Sequence, residues 1–138
     1  MSTAAVWDSV VGMFEGDAGD GGLATLVDGI FLERAPDGFA HTLGYIVLSV
    51  RSDTRDNAKD SRGSLVRFVF NIYTPRSKGI KAQTAIIRRL REVFDYVQLT
   101  AVTGWTFSHA VRVSGINVPE PDAFWHMAEE YEVYAFAS

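Results

Sequence analysis

The sequence predicts one α+β domain over residues 1–138, a mostly antiparallel sheet packed by two helices in the order α-β-β-β-α-β-β. Within residues 65–73 every second side chain is large and apolar, as a strand with one buried face requires: Val66, Phe68, Phe70 and Ile72. Residues 78–97 instead repeat apolar side chains at the spacing of an amphipathic helix. We expect this helix to pack on the sheet and to form, with the strand, the centre of the domain.

The composition favours a single globular domain and argues against several other classes of protein. A chain of 138 residues, 47% hydrophobic and 22% charged, is typical of one globular domain. A net charge of -4 gives no basic footprint and argues against direct wrapping of nucleic acid. The absence of cysteine excludes disulfides and thiolate metal sites. The first 14 residues lack Lys and Arg, which argues against a signal peptide, and no apolar run is long enough for a membrane span.

The N-terminal segment predicts an amphipathic helix that ends near Gly16 and is capped by Ser2 or Thr3. Asp8 and Ser9 are expected to face outward, opposite an apolar side formed by Val6, Trp7, Val10, Met13 and Phe14. Residues 16–22, rich in Gly and Asp, predict a flexible connection. A calcium loop is the alternative, but the spacing of Asp17, Asp20 and Asp28 does not fit one, so a plain loop is favoured.

The next segments predict a β-hairpin. One helical turn at residues 23–27 and a short extended piece at 29–34 lead to a Pro-Asp-Gly turn at 36–38. Residues 45–51 then form a strand that buries Ile46, Leu48 and Val50 and pairs with residues 65–73. The connecting residues 52–64 contain no large apolar side chain and are far more numerous than a tight turn needs. They are either a tolerated surface excursion or a loop that a partner orders.

The long helix has a basic beginning. Thr74, with Pro75 at the first helical position, or Ser77 can cap it. Cations are mildly unfavourable at a helix N-terminus, yet three lie there: Arg76, Lys78 and Lys81. They form either a solvated end or a patch that meets an acidic surface. Three more cations on the outer face are typical of a solubilising surface: Arg88, Arg89 and Arg91.

The last third of the chain predicts further strands. A short strand at residues 98–103 precedes an alternating strand at 105–113, and residues 115–122, which include Pro119 and Pro121, form a loop. The final strand, residues 124–136, is expected to bury Met127, Tyr131, Val133 and Ala135. Glu129 breaks this pattern on the inner side, which predicts either a bulge or an interface position.

No residue set in the chain predicts catalysis, a cofactor or a resident metal. There is no Gly-x-Ser-x-Gly motif, no cysteine nucleophile and no glycine-rich phosphate loop after a strand. His41, His109 and His126 lack metal-ligand spacing, although His109, His126 and Glu129 could meet across neighbouring strands. Glu129, Glu130 and Glu132 form an acidic cluster, either a carboxylate pair or a solubilising face. Trp125 and His126 belong either to the core or to a subunit contact.

Four segments carry a resemblance to a known family. They are the N-terminal helix with Leu-Ala-Thr-Leu-Val-Asp-Gly-Ile-Phe at residues 23–31, the strand Tyr-Ile-Val-Leu-Ser-Val at 45–50, and the strand at 66–73 that leads into the long helix. The fourth is Pro-Glu-Pro-Asp at 119–122, followed by the final strand at 125–136. In this order the chain resembles the tail terminator, or tail-completion, proteins of long-tailed bacteriophages and of related particles such as gene transfer agents.

The resemblance implies a structural virion protein and not an enzyme. Its subunits would form a hexameric ring at the neck of the tail, assembled in the host cytoplasm. The ring caps the tail tube, stops its polymerisation and joins the tail to the head connector (stopper) protein, while DNA passes through the lumen without specific binding. By analogy, residues 52–64 contact the tube or a neighbouring subunit, above all through Arg55, Asp56, Lys59 and Arg62. From the basic patch, Arg76 and Lys78 are added as candidate partner-binding residues. The alternatives are another connector or head-completion component, and a small α+β ligand-binding protein or enzyme.

Overall fold

The alternating segments form a seven-stranded sheet in the computed structural model, which describes residues 2–36, 42–55, 63–119 and 124–137. The strand order is β1-β2-β3-β7-β6-β4, with β5 also paired to β7. Only the β1-β2 pair is parallel. The strands are β1 (Ile30–Leu32), β2 (Tyr45–Arg55), β3 (Gly63–Pro75), β4 (Val97–Gln98), β5 (Trp105–Phe107), β6 (His109–Val118) and β7 (Phe124–Ala137). The predicted α+β class is therefore confirmed.

Two long helices and one short helix complete the domain: α1 (Ser2–Gly16), α2 (Leu23–Leu26) and α3 (Gly79–Phe94). The predicted inner residues of β2 and β3 join the helices in one hydrophobic core, in which Phe68, Phe70 and Ile72 have no exposed surface. The ring centroids of Phe70 and Phe94 lie 4.9 Å apart, which fixes α3 against β3. None of the helices in the described residues has both the length and the apolar character needed to cross a membrane.

Of the two polar residues of α1 that were predicted to face outward, Asp8 is exposed as expected and Ser9 is not. Ser9 was expected to face outward, but it is 2% exposed and its hydroxyl donates to the Thr100 carbonyl at 2.7 Å. The hydroxyls of Ser2 and Thr3 donate to the carboxylate of Asp53. These side chains therefore connect α1 to distant parts of the chain, because a small hydroxyl can enter the core when a carbonyl or carboxylate accepts its hydrogen bond.

The predicted β-hairpin is confirmed, but its strands are longer than expected. Residues 52–55 continue β2, and Arg55 lies opposite Ser64 of β3. The register shifts between Val50 and Ser52, which places a bulge at Arg51. Residues 52–55 form a strand in spite of their polar composition, because their backbone pairs with β3. The connection between the two strands is therefore only residues 56–62. Those residues, and the predicted turn at 37–38, lie outside the described part of the chain.

The junction between β3 and α3 also differs. Neither Thr74 nor Ser77 caps the helix, and Pro75 is not its first residue, because pairing with β7 keeps the backbone extended as far as Pro75. A 3₁₀ turn (Arg76–Lys78) follows, and α3 begins at Gly79, whose φ of 77° suits glycine. Ile80 was expected on the packed face but is 56% exposed.

The strand predicted at residues 105–113 divides at Ser108 into β5 and β6. Ser108 exchanges hydrogen bonds with the backbone of Tyr134, and after it the alternation changes phase, so that Ala110 is buried and His109 is exposed. Residues 115–118 were predicted as a loop but pair with β7 as the end of β6. Pro119 ends the strand, but only after Val118, the last residue of β6 that pairs with β7.

Candidate interaction surfaces

The three glutamates of β7 are distributed over both faces of the sheet, and each forms an ion pair with at least one arginine. Glu129 is fully buried and binds Arg91 of α3 at 2.8 Å and Arg112 of β6 at 3.1 Å. Neither a bulge in β7 nor an interface is needed to explain its inward position. The register shift lies instead in the neighbouring strand β6, between Arg112 and Ser114.

The residues around Glu129 pack closely against its side chain and form hydrogen bonds with its carboxylate. A Cβ atom at Gly115, the residue opposite Glu129, would overlap the Glu129 Oε2 and Arg112 Nη2 atoms. The hydrogen bond to Glu129 raises the pKa of Arg112 above its ordinary value. Burial, with the nearby Glu129 charge, likewise raises the pKa of Tyr131. This cluster joins α3, β6 and β7, so its evident role is structural.

Glu130 and Glu132 do not form a catalytic carboxylate pair with Glu129. Glu130 binds Arg51 at 3.2 Å, and Glu132 binds Arg67 at 3.3 Å. Alternation along β7 places both on the face opposite Glu129.

The histidines do not form the alternative metal site. His126 is 9% exposed, lies 3.0 Å from the Asn71 side-chain oxygen and stacks on Tyr73 with ring centroids 4.2 Å apart. His109 pairs with Gln98, far along the sheet from His126. Within the described residues, no group of three or more His, Cys, Asp or Glu side chains is placed to bind a metal.

The calcium alternative also fails, for a reason that sequence reasoning missed. Asp17 accepts hydrogen bonds at 2.9 and 2.5 Å from Arg89, a residue predicted only to solubilise α3. These bonds lower the pKa of Asp17 below its ordinary value of 3.8. Asp28 instead accepts a bond from the Leu43 backbone at 2.9 Å. The ion pair between Asp17 and Arg89 therefore holds the connection at residues 16–22 against α3.

The predicted basic patch lies beside a cleft of about 320 Å³, which we call the Arg76 cleft; its lining includes Arg76, Ile80, Val118, Phe124 and Trp125. The guanidinium carbon of Arg76 lies 4.4 Å from the centroid of the Trp125 ring, a cation–π contact. Lys78 is exposed in the adjoining 3₁₀ turn. An exposed Ile80, a stacked arginine and a tryptophan form the kind of surface that is enriched at protein interfaces.

Arg55, the other predicted partner-binding residue that the structure describes, lies at the opposite end of the sheet. Arg55 is exposed at the end of β2 and lies opposite Ser64, near the start of β3, whereas Arg76 follows the end of β3. The strand between them spans roughly 35 Å. Asp56, Lys59 and Arg62 lie outside the described residues. The six predicted residues therefore do not form one site: Arg55 marks one end of the sheet, and Arg76 and Lys78 mark the other.

A second cleft, of about 550 Å³, lies between α1, the end of α3 and the segment before β5. We call it the α1 cleft. Its lining includes Asp8, Gly12, Met13, Val93 and Val102. The sequence gives no sign of this cleft, because its walls come from three segments distant along the chain. Two of its polar lining residues have partners elsewhere: Ser9 donates to the Thr100 carbonyl, and Asp17 accepts from Arg89.

Comparisons with known proteins support the fold. No model of a protein family matches the chain, and none of the curated proteins matches it significantly. A solved structure of the virion of a native gene transfer agent particle contains a chain that matches with a TM-score of 0.72 and 15% identity, over 98% of this chain and 97% of that one. A second solved structure matches with a TM-score of 0.60 and 17% identity, over 96% of each chain. At these identities the likeness establishes a shared fold.

Proposed function

We propose that this protein is a structural component of a phage or gene transfer agent particle, and within it the tail terminator. Copies of the chain form a ring, a hexamer by analogy, at the neck of the tail. The ring caps the tail tube, stops the addition of tube subunits and binds the head connector. DNA passes through the lumen without specific contacts, which suits a chain of net charge -4 because a negative surface repels phosphate.

The observation that carries this proposal is the fold match to a chain of a gene transfer agent virion. It covers nearly the whole of both chains, so the two share a domain without large additions to either. The sequence resemblance to tail terminators, drawn from the order of motifs, points to the same class of particle. Two independent lines of argument thus support a virion component.

The placement of the predicted partner-binding residues supports the finer role. A terminator contacts two different partners, the tail tube on one side and the head connector on the other. Arg55 and the Arg76 cleft lie at opposite ends of β3, far enough apart for each to meet a separate partner. We assign the hairpin end, with Arg55, to the tail tube, and the Arg76 cleft, with Lys78, to the head connector.

The test combines oligomeric state with an assay of tube growth. The mass of the protein is measured by light scattering after size exclusion, over a range of concentrations, with and without the purified tail tube protein. Tube protein is then polymerised with and without it, and tube lengths are measured by electron microscopy. A ring that binds tube ends and shortens the tubes at substoichiometric amounts is expected.

Other outcomes separate the alternatives. A protein that binds the head connector but leaves tube length unchanged is a connector or head-completion component, not a terminator. A monomer that is indifferent to both partners would overturn the virion proposal. The question would then move to a ligand-binding protein or enzyme, for which a screen of small molecules against the α1 and Arg76 clefts is the direct test.

A further inference from the structure

The sheet has two stretches of strand whose outer edge has no partner within the described part of the chain. On one side, β1 covers β2 only at Ile46–Leu48, although β2 continues to Arg55. On the other side, β4 covers β6 only at His109–Ala110, although β6 continues to Val118. An unpaired strand edge presents a row of backbone donors and acceptors to which another strand can bind.

These edges carry only part of the usual protection against strand addition, namely one bulge each and the charged side chains of β2. Neither β2 nor β6 contains lysine or proline, two residues that commonly protect edges. On β6 the only positive side chain, Arg112, is directed to Glu129, while Val113 and Ile116 are 41% and 59% exposed. Bulges at Arg51 and Val113 interrupt the edges, which leaves regular segments at residues 52–55 and 114–118.

We propose that these two segments pair between neighbouring copies, with residues 114–118 of one copy beside residues 52–55 of the next. This inference rests on the proposed ring and names the contact that builds it. Three antiparallel pairings lead from β2 through β3 and β7 to β6, so β2 and β6 run in opposite directions. A neighbouring copy in the same orientation therefore brings its β2 to this β6 as an antiparallel partner.

The positions of the segments along the sheet favour closure into a ring. Through the register, residues 114–118 are level with residues 69–73 of β3, and residues 52–55 are level with residues 64–67. Pairing them with Ile116 beside Thr54 displaces each copy by about six residues, or ~20 Å, along the strands, for a repeat about four strands or ~19 Å wide. The resulting strand tilt of about 45° is at the upper end of the range that is typical of closed barrels. A head-to-tail contact of this kind repeats around a closed ring.

Disulfide trapping tests the pairing, because the chain has no cysteine of its own. Ile116→Cys is introduced in one copy and Thr54→Cys in another copy of different tag length, two positions that face the same side of the sheet. After mixing and mild oxidation we expect a mixed disulfide in at least tenfold excess over that formed with Tyr96→Cys. Tyr96 is a stringent control because it is 71% exposed, more than the 59% of Ile116, and lies in neither pairing segment.

A second variant keeps the proposal open to contradiction. Ile116→Lys is expected to weaken self-association at least tenfold, whereas Tyr96→Lys leaves it unchanged, with both variants folded by circular dichroism. Rings that form without the mixed disulfide would overturn the edge pairing and leave the proposed function intact. A preferred Ile116→Cys homodimer, or a crosslink from Ile116→Cys to tube protein, would also overturn it. A monomer that never associates, even with tube protein, would instead contradict the proposed function.

Discussion

The Arg112 guanidinium lies 3.1 Å from the carboxylate of Glu129, whose side chain has no exposed surface. Arg91 completes the cluster from the other side at 2.8 Å. Burying a carboxylate is costly, and two arginines from separate elements, α3 and β6, offset that cost by binding it. Arg91 and Arg112 keep 42% and 30% of their side chains exposed, which lowers the cost of desolvating them.

Replacing Glu129 by Gln should destabilise the protein strongly. The amide keeps the shape but removes the charge that both arginines face, and the loss of a hydrogen bond to a charged group costs about 1.5–3 kcal/mol. Urea unfolding followed by circular dichroism measures the change in the free energy of unfolding. The control is Glu132→Gln, whose pair with Arg67 is one-third or more exposed on both sides and should cost less than about 1 kcal/mol. Equal losses in the two variants would contradict the structural role of the cluster.

Gly115→Ala should also destabilise the protein, although the change is small. The added methyl group would overlap Glu129 and Arg112, and overpacking of this kind costs about 1–3 kcal/mol. Gly12→Ala is the matched control, because a Cβ there meets nothing within 4 Å and alanine favours helix α1 by about 0.5–1 kcal/mol. Opposite signs of the two changes in unfolding free energy are expected, and a neutral Gly115→Ala would contradict this packing.

The Asp17–Arg89 pair should make stability depend on pH in the acid range. The pKa of Asp17 is lowered in the folded protein, so its contribution is complete above its ordinary value of 3.8 and is lost as pH falls through the lower folded value. Asp17→Asn should therefore lower the urea midpoint at pH 7, and the difference from the parent should shrink below pH 3.8. Asp20→Asn, at an exposed position in the same connection, is the control. A difference that stays constant down to pH 2 would exclude the ion pair as its source.

Charge reversal at the two ends of the sheet should affect different partners. Arg55→Glu with Arg62→Glu is expected to weaken binding to tube protein tenfold or more, while Arg76→Glu with Lys78→Glu weakens binding to the head connector. Both double variants should keep the fold. Because Arg55 also lies in the proposed pairing segment, light scattering must establish that the first variant still forms the ring before its binding to tube protein is compared. Surface plasmon resonance against each partner, with circular dichroism, checks this. Normal infectious particles from the first variant would contradict the proposal that the hairpin end binds the tail tube.

Much of the fold could be predicted because the relevant signals are local. The alternation of Val66, Phe68, Phe70 and Ile72 and the repeat of Ile86, Leu90 and Phe94 each identify an element and its buried side without knowledge of the rest. Failures occurred where distant pairing overrides local chemistry. Residues 52–55 and 115–118 have loop-like composition, yet β3 and β7 hold them as strands.

The candidate surfaces could be predicted less well. The basic patch at Arg76 and Lys78 was visible as a charge run, but its tryptophan partner comes from β7, far along the chain. The same limit applies to the Arg76 cleft, the α1 cleft and the free strand edges. Each depends on which elements become neighbours, and no local pattern records that.

The sequence by itself therefore determined the class of fold, the order of its main elements and the apolar sides that form the core, because burial follows periodicities of two and 3.6 residues. Only the tertiary structure decided the partners of the charged residues. Glu129 has the same local pattern whether it lies in a bulge, at an interface or between two arginines. Its actual position depends on the register of β6 and β7 and on the approach of α3, which are set by packing over the whole domain.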